Sequence, residues 1–411
     1  MNLLILSDYD RLALDLHTNL SLHGFNSILL TTKEVECEEN VVDVSFFKSH
    51  RLTRLFNHAR AFAYRKLLLW SNGYYYQDIR EDRNYYSLGR IRKRIPFKPE
   101  LVLILFDYRM VTAKMIQEIY KWSNARIVWL MVDMKPLTGG CAYSGNCTNY
   151  TIGCRECPLI TNRFFRNFAH TTLETRKKLL MNVDLQIIAP SSYLYAQATS
   201  SSLFRDREIH KLFLPSNGRI FRNDGRGAAR EILQLPVDAS IILFGAQSFD
   251  SERKGYAFLL ETLILLSKLC LDLNIVLLTV GNGNLPERIV RNYRIVNLGF
   301  VNYNKLALAY QAADVFLCPT IEDSGPIMVN QSLMCGTPVV AFKMGVSLDL
   351  VVDGKTGHLA ELGDSKGLCD GIVNILSAPP TVRAEFNREC ELMAKRLNYS
   401  AFVASLRMLL N

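Results

Sequence analysis

The sequence contains no hydrophobic run long enough to cross a membrane. A spanning helix needs about 18 or more uncharged apolar residues. The best candidate, FLLETLILLSKLCLDLNIVLLTVG, is interrupted by Glu261, Lys268 and Asp272. The opening stretch MNLLILSDYD has no basic n-region, and its apolar run is too short for a secretory leader. It reads instead as a first β-strand, and the protein is expected in the cytoplasm. Short repeats and low-complexity linkers are also absent, as is any motif for nucleic-acid recognition.

What remains is a globular composition. The chain has 411 residues, 49% of them hydrophobic, which is ample core for two or three domains. The net charge is +9, and it is concentrated. Residues 51–100 hold twelve Lys and Arg against four acids, a surplus of eight. The same segment is aromatic, as in AFAYRKLLLWSNGYYYQ and NYYSLGRIRKRIPF. Basic residues mixed with Trp and Tyr suit an anionic membrane surface. A solvated face has the same composition, and so does a nucleic-acid patch, although no motif supports the latter.

Along the chain, strand-like and helix-like segments alternate. NLLILS, NSILLTT, PELVLILF, ARIVWLMV and LQIIAP read as strands. RLALDLHTNLSLHG and TAKMIQEIYKWS read as helices between them. Uninterrupted apolar runs separated by helices indicate a parallel sheet covered on both faces. Pro, Gly and Asn cluster in LFLPSNGRIFRNDGRG, which marks a boundary between domains spanning 1–210 and 211–411. The pattern then restarts with ASIILFGA, NIVLLTVGNG, YRIVNLGFV, DVFLCPT and PVVAF as strands. The expected fold class is therefore α/β, with two Rossmann-like parallel-sheet domains facing a cleft. Ligands of such sheets bind beyond the carboxyl ends of the strands.

The loops after those strands carry the candidate chemistry. Arg253 and Lys254 precede a helix, ahead of Gly255, and would make an anion site suited to a diphosphate. A basic loop cap is the plainer reading. Gly281 belongs to a bare Gly-x-Gly, which is weak alone. Glu322 and Asp323 open the stretch EDSGPIMVNQSLMCGTPVVAF. Acids beside a helix start need no function beyond complementing its dipole. The turn Ser324–Gly325–Pro326 offers free backbone N–H groups to phosphate or sugar oxygens.

Together GAQSFDSERKGYAFLLETL, LGFVNYNKLALAYQAADVFLCPTIEDSGPIMVNQSLMCGTPVVAF and GKTGHLA resemble the nucleotide-sugar domain of family 4 glycosyltransferases. VDMKPLTGGCAYSGNCTNYTIGCRECP resembles a subgroup that builds capsule, exopolysaccharide, O-antigen or colanic-acid repeats. The resemblance covers roughly residues 100–360. It implies the GT-B fold and a retaining transfer that needs no catalytic metal. The donor would be a UDP- or GDP-sugar. The acceptor would be a polyprenyl-diphosphate-linked or other glycan, at the inner face of the plasma membrane. Residues 1–210 become the acceptor side, and residues 211–411, with C-terminal helices, the donor side.

Residue by residue, the resemblance implies that Glu322 contacts the transferred hexose and that Gly325 and Pro326 lie beside the sugar and diphosphate. Lys254, with Arg253, would hold the diphosphate, and Gly245 and Gly281 would border the donor. The backbone of Gly299, Phe300 and Val301 would meet the nucleobase. Asp133 and the Gly139–Gly140 turn would border the acceptor; a turn or helix cap is the plainer role for Asp133. The sequence departs from the pattern in three places. Gln331 stands where a second Glu usually accepts from the ribose hydroxyls. Val132 stands where a His often precedes Asp133. No glycine follows the first strand. These departures support a second reading, a GT-B partner protein that binds nucleotide sugar or glycan without turnover. An epimerase of the same fold is a third.

Cys141, Cys147, Cys154 and Cys157 fall within a cysteine-rich loop at 138–160, spaced C-x5-C-x6-C-x2-C. In a cytosolic protein, clustered cysteines more often bind metal or do redox work than form structural disulfides. The closing C-x2-C is half of a tetrahedral zinc site, though x5 and x6 are not the usual first half. A structural zinc, paired or reduced thiols, and an iron–sulfur cluster are the alternatives.

Overall fold

The computed structural model describes residues 1–8, 11–32, 39–47, 76, 80–105, 110–249, 251–269 and 273–410. Most of the basic aromatic segment (51–75 and 77–79) therefore lies outside the described residues. The chain divides into two compact units. One comprises Met1–Pro190 and Leu194–Leu212; the other comprises Ser191–Tyr193 and Phe213–Asn411.

The first unit is built on seven strands: β1 Asn2–Leu6, β2 Asn26–Thr31, β3 Val41–Asp43, β4 Leu101–Ile104, β5 Arg126–Leu130, β6 Leu185–Ala189 and β7 Ile209–Lys211. Every neighbouring pair is parallel, in the order β3-β2-β1-β4-β5-β6-β7. The run LVLI of β4 is buried throughout, as a strand covered on both faces must be.

The second unit repeats the plan with six parallel strands: β8 Ser240–Ser248, β9 Ile275–Asn282, β10 Arg294–Asn297, β11 Val315–Cys318, β12 Val339–Phe342 and β13 Gly357–Ala360. Their order is β10-β9-β8-β11-β12-β13. Each sheet thus starts in its middle and grows outward in both directions, the doubly wound arrangement. In the second unit the switch in direction falls between β8 and β11, where ligands of such sheets bind at the carboxyl ends.

Strand alternation divides the second unit's core in two. Ile241, Leu243, Phe316, Cys318, Val339 and Ala341 pack on one face, and Ile242, Phe244, Val315, Leu317, Val340 and Phe342 on the other. A side-chain period of two with both sets buried fixes the register, because a slip of one residue would exchange the faces. The helices Tyr256–Leu269 and Ser365–Leu376 join one face, while Tyr303–Ala312 and Ile327–Met334 join the other.

Candidate functional site

At the carboxyl end of β8 the chain enters a short 3-10 turn, Glu252–Lys254, before the helix Tyr256–Leu269 begins. Gly255 separates the two with a φ of 73°, in the left-handed region that favours glycine. A Cβ there would lie 1.6 Å from the carbonyl oxygen of Pro319, so the loop after β11 passes directly against it. That loop is tied on by backbone bonds. The N–H of Ile321 donates to Arg253 O at 2.9 Å, and that of Glu322 donates to the same oxygen at 3.3 Å.

These ties bring a basic pair and a carboxylate together. Arg253 Nη1 lies 2.8 Å, and Lys254 Nζ 2.7 Å, from Oδ2 of Asp323. The other oxygen of Asp323 accepts from Gly325 N at 3.1 Å. Burial pushes the Asp323 pKa upward, but the charges of Lys254 and Arg253 and the bonds from Lys254 and Gly325 outweigh it, leaving the pKa below the ordinary 3.8. The carboxylate is therefore ionised and fixes two cations that remain about one-fifth exposed. Arg253 and Lys254 thus share one carboxylate, and Glu322 on the same loop brings a second acid to the cluster.

The neighbouring loops complete this edge of the sheet. Gly281 has a φ of 118°, and a Cβ on it would lie 1.7 Å from Ala246 O. Its N–H donates to Gly299 O at 2.8 Å, which joins the loops after β9 and β10. Phe300 is 73% exposed beside them. Val301 is partly buried against the core. A Cβ on Gly245 would meet Met328 Cε at 2.4 Å, so β8 packs closely against the helix Ile327–Met334. Pro326 precedes that helix with an extended backbone, φ −63° and ψ 105°. Glu322 and Gly325 are half-buried, whereas Ser324 is buried.

Gln331 lies in the same helix but is only 3% exposed. Its Oε1 accepts from the buried Tyr310 hydroxyl at 3.4 Å. The amide therefore has a partner inside the core, at the position where the sequence pattern expects an acceptor for ribose. Arg253, Lys254, Glu322, Ser324, Gly325 and Pro326 come together on one pair of loops, and Gly281, Gly299 and Phe300 on the adjacent pair. Asp323, the acid that holds the basic pair, was not among the candidate site residues. Its signal was available: an acid one position after Glu322, in the loop after a central strand, on the chain that carries the Arg-Lys pair.

In the first unit, Oδ1 of Asp133 accepts from Lys135 N at 2.8 Å and so caps the turn Lys135–Leu137. Gly139 and Gly140 are buried. A Cβ on Gly139 would lie 2.1 Å from Ala169 O. The loop between Asp133 and these glycines is held by a buried arginine that sequence reasoning did not find. Arg176 Nη1 donates to the carbonyls of Lys135, Pro136 and Thr138 at 2.8–3.0 Å. Its Nη2 bonds Glu81 Oε1 at 2.6 Å, an ion pair almost wholly excluded from water.

The cysteine loop holds reduced thiols, one of the readings its spacing left open. Cys141, Cys154 and Cys157 are buried, Cys147 is half-buried, and all four are free thiols. Among the described residues no group of three or more His, Cys, Asp or Glu is placed to hold a metal. The thiols pack against the backbone and against one another. Cys154 Sγ accepts from Gly139 N at 3.3 Å, and burial raises its pKa to about 11. The Cys141 thiol donates to Cys157, which holds Cys141 protonated and lowers Cys157 to about 7.

Comparison with known proteins locates this geometry. Residues 239–378, inside the second unit, match the sequence model of the family described as "Glycosyl transferases group 1". A phosphatidyl-myo-inositol mannosyltransferase of Mycobacterium leprae is 32% identical over 160 residues, which is 37% of this chain and 41% of that protein. The match spans less than half the length of these curated relatives. Among solved structures, a sucrose-phosphate synthase from Thermosynechococcus elongatus superposes with a TM-score of 0.68 at 16% identity, covering 100% of this chain and 98% of that one. Anabaena HepE in complex with UDP-glucose superposes with a TM-score of 0.62 at 14% identity, covering 100% of this chain and 99% of that one. The fold is GT-B, with two Rossmann-like parallel-sheet domains.

Proposed function

We propose that the protein is a glycosyltransferase that takes a hexosyl group from a nucleoside-diphosphate sugar. The observation that carries this reading is the Arg253–Lys254 pair held on buried Asp323 at the switch point of the second sheet. A diphosphate bound there meets two cations whose positions are already fixed. As the bond from the anomeric carbon to the leaving phosphate oxygen breaks, negative charge grows on that oxygen. Preorganised cations stabilise such charge without reorganising, usually the largest catalytic effect. Arg253 and Lys254 do here what a divalent metal does elsewhere, so the transfer runs without one.

Glu322, half-buried next to Asp323, would face the transferred hexose, and Gly281 and Gly299 would border the nucleoside. A retaining outcome needs no protein nucleophile. The acceptor oxygen would attack on the leaving-group face and pass its proton to the departing phosphate. The structural neighbour solved with UDP-glucose favours a UDP-sugar, and the mannosyltransferase relative favours a mannosyl donor. For the acceptor we favour a lipid-linked one, a polyprenyl-diphosphate glycan or a phosphoinositide, met at an anionic membrane surface during surface-glycan synthesis.

The test is nucleotide release from UDP-glucose and GDP-mannose, with and without phosphatidylinositol or a polyprenyl-diphosphate-linked sugar. Acceptor-dependent release supports transfer. Tight nucleotide binding with no release under any acceptor would favour the partner-protein reading, to which Gln331, bonded inward to Tyr310, already lends support.

A further inference from the structure

A second charged cavity lies at the opposite end of the same sheet. β8 begins at Ser240 and β11 is preceded by Asp314, so both residues mark the amino-terminal edge, away from the Arg253 loops. A cavity of about 500 Å³ opens there, lined by Ser240, Asp314, Asp238, Arg226, Arg230 and Arg383. The lining thus holds three arginines and two aspartates, of which Asp238 is exposed at the rim.

The partners already made decide which charges are available. Asp314 is buried and fully engaged. It takes Arg226 Nη1 on one oxygen at 2.8 Å, and Arg230 Nη2 and Ile241 N on the other, both at 2.8 Å. Arg230 is equally committed, donating as well to the carbonyls of Ala312, Val237 and Ala239. These two residues close the edge of the sheet. Arg226 differs: its side chain is 31% exposed, and one nitrogen is used. Arg383 makes no side-chain hydrogen bond or ion pair among the described residues. It lies on the first turn of the helix Pro380–Ala394, whose Pro380 also lines the cavity. The helix start adds partial positive charge on the same side. Burial lowers the Arg226 pKa; Asp314 opposes this, and the charges of Arg230 and Arg383 reinforce it.

We infer that this cavity is an anion site for a phosphate group, held in a fork between Arg226 and Arg383 with the Ser240 hydroxyl as a further donor. Arginine's planar set of donors matches phosphate oxygens two at a time. The volume admits the phosphate of a small ester as well as free phosphate. The site is separate from the proposed donor loops and stands whether or not those loops bind a nucleotide sugar.

The experiment is calorimetric titration of the full chain with inorganic phosphate and with glycerol phosphate, ionic strength being held constant with chloride. Titrations in the Lys254→Ala background remove binding at the donor loops. Saturable one-site binding is expected in that background. Arg383→Ala should weaken it at least tenfold and Arg383→Lys should restore part of the affinity. Because Arg383 has no partner to lose, its variants should unfold at the parent temperature without ligand. Tighter binding of the ester assigns a phosphorylated small molecule, and equal binding assigns free phosphate. Binding no stronger than chloride, or binding lost in Lys254→Ala but kept in Arg383→Ala, would overturn the assignment.

Discussion

Asp323 sits between two cations in the loop after β11. Its carboxylate is the common partner of Arg253 and Lys254, so neutralising it should disturb both. Asp323→Asn keeps the shape but leaves two part-buried cations against an amide. A loss of about 1–3 kcal/mol in stability is expected, together with weaker UDP or GDP binding because the cations are no longer fixed. Lys254→Ala should weaken nucleotide binding by removing charge directly. Glu322→Ala should leave that affinity nearly intact and lower kcat, as for a contact made mainly in the transition state. Calorimetry and steady-state kinetics on the three variants separate the roles; unchanged nucleotide affinity in Lys254→Ala would refute the diphosphate assignment. Asp323 also predicts an acid response. Because its pKa is depressed in the folded state, its contribution is complete above the ordinary carboxylate value of 3.8 and is lost as pH falls through the lower folded value. Acid denaturation of Asp323→Asn should therefore be less steep.

At the scale of elements, the sequence was most informative where apolar periodicity was strong. The helices Arg11–Leu22, Ala113–Ser123 and Tyr256–Leu269 and the strands β1, β4, β5, β8, β11 and β12 stand close to where their patterns put them. The three-residue strands β3 and β7 went unread because each is too short to show a period, and β13 because it lacks the uninterrupted apolar run that marks β4, β11 and β12. The site was legible as loops after strands. The buried Arg176–Glu81 pair was not, since 95 residues separate partners that only the fold unites. The thiol loop was left undecided by its spacing, which is the same for four thiolates on a metal and for thiols in a core. Two predictions follow from these contacts. Gly255→Ala forces a Cβ into the Pro319 carbonyl at a positive φ, so it should cost about 2–4 kcal/mol in denaturant unfolding and impair nucleotide binding by parting the loops. Cys154, its pKa raised to about 11 from 9.0, contributes stability that is fully present below about pH 9 and lost as pH rises through 11. Cys154→Ala should flatten that alkaline decline by on the order of 1–2 kcal/mol in pH-dependent unfolding; an unaltered slope would mean that the thiol does not titrate in this range.

For the whole molecule the question is where an excess of nine positive charges is used. Among the described residues no helix is long and apolar enough to cross a membrane. Attachment through surface charge needs basic side chains that face solvent. The helix Leu88–Arg92 and the residues after it suit that use. Leu88 and Ile91 are buried, and Arg90, Arg92, Lys93 and Arg94 are exposed. Two of the four also rest on aromatic rings: Arg92 Cζ lies 4.7 Å from the Trp122 centroid, and Arg94 Cζ lies 6.0 Å from that of Phe47. A stacked guanidinium keeps its charge, so all four can contribute to the potential this surface presents. Each basic residue near an anionic membrane contributes about 1 kcal/mol, and the attraction decays within a Debye length of about 10 Å at 0.1 M salt. Neutralising all four to Gln should lower binding to phosphatidylserine vesicles at least tenfold at low salt, and parent binding should fall steeply as salt rises. Flotation or sedimentation with vesicles reads both effects. Their signs separate a docking role of the segment from a solvated one. A docking face loses binding with either charge or salt, whereas parent protein that ignores anionic vesicles at low salt would make these residues a solvated face and leave the acceptor to reach the site without help from charge.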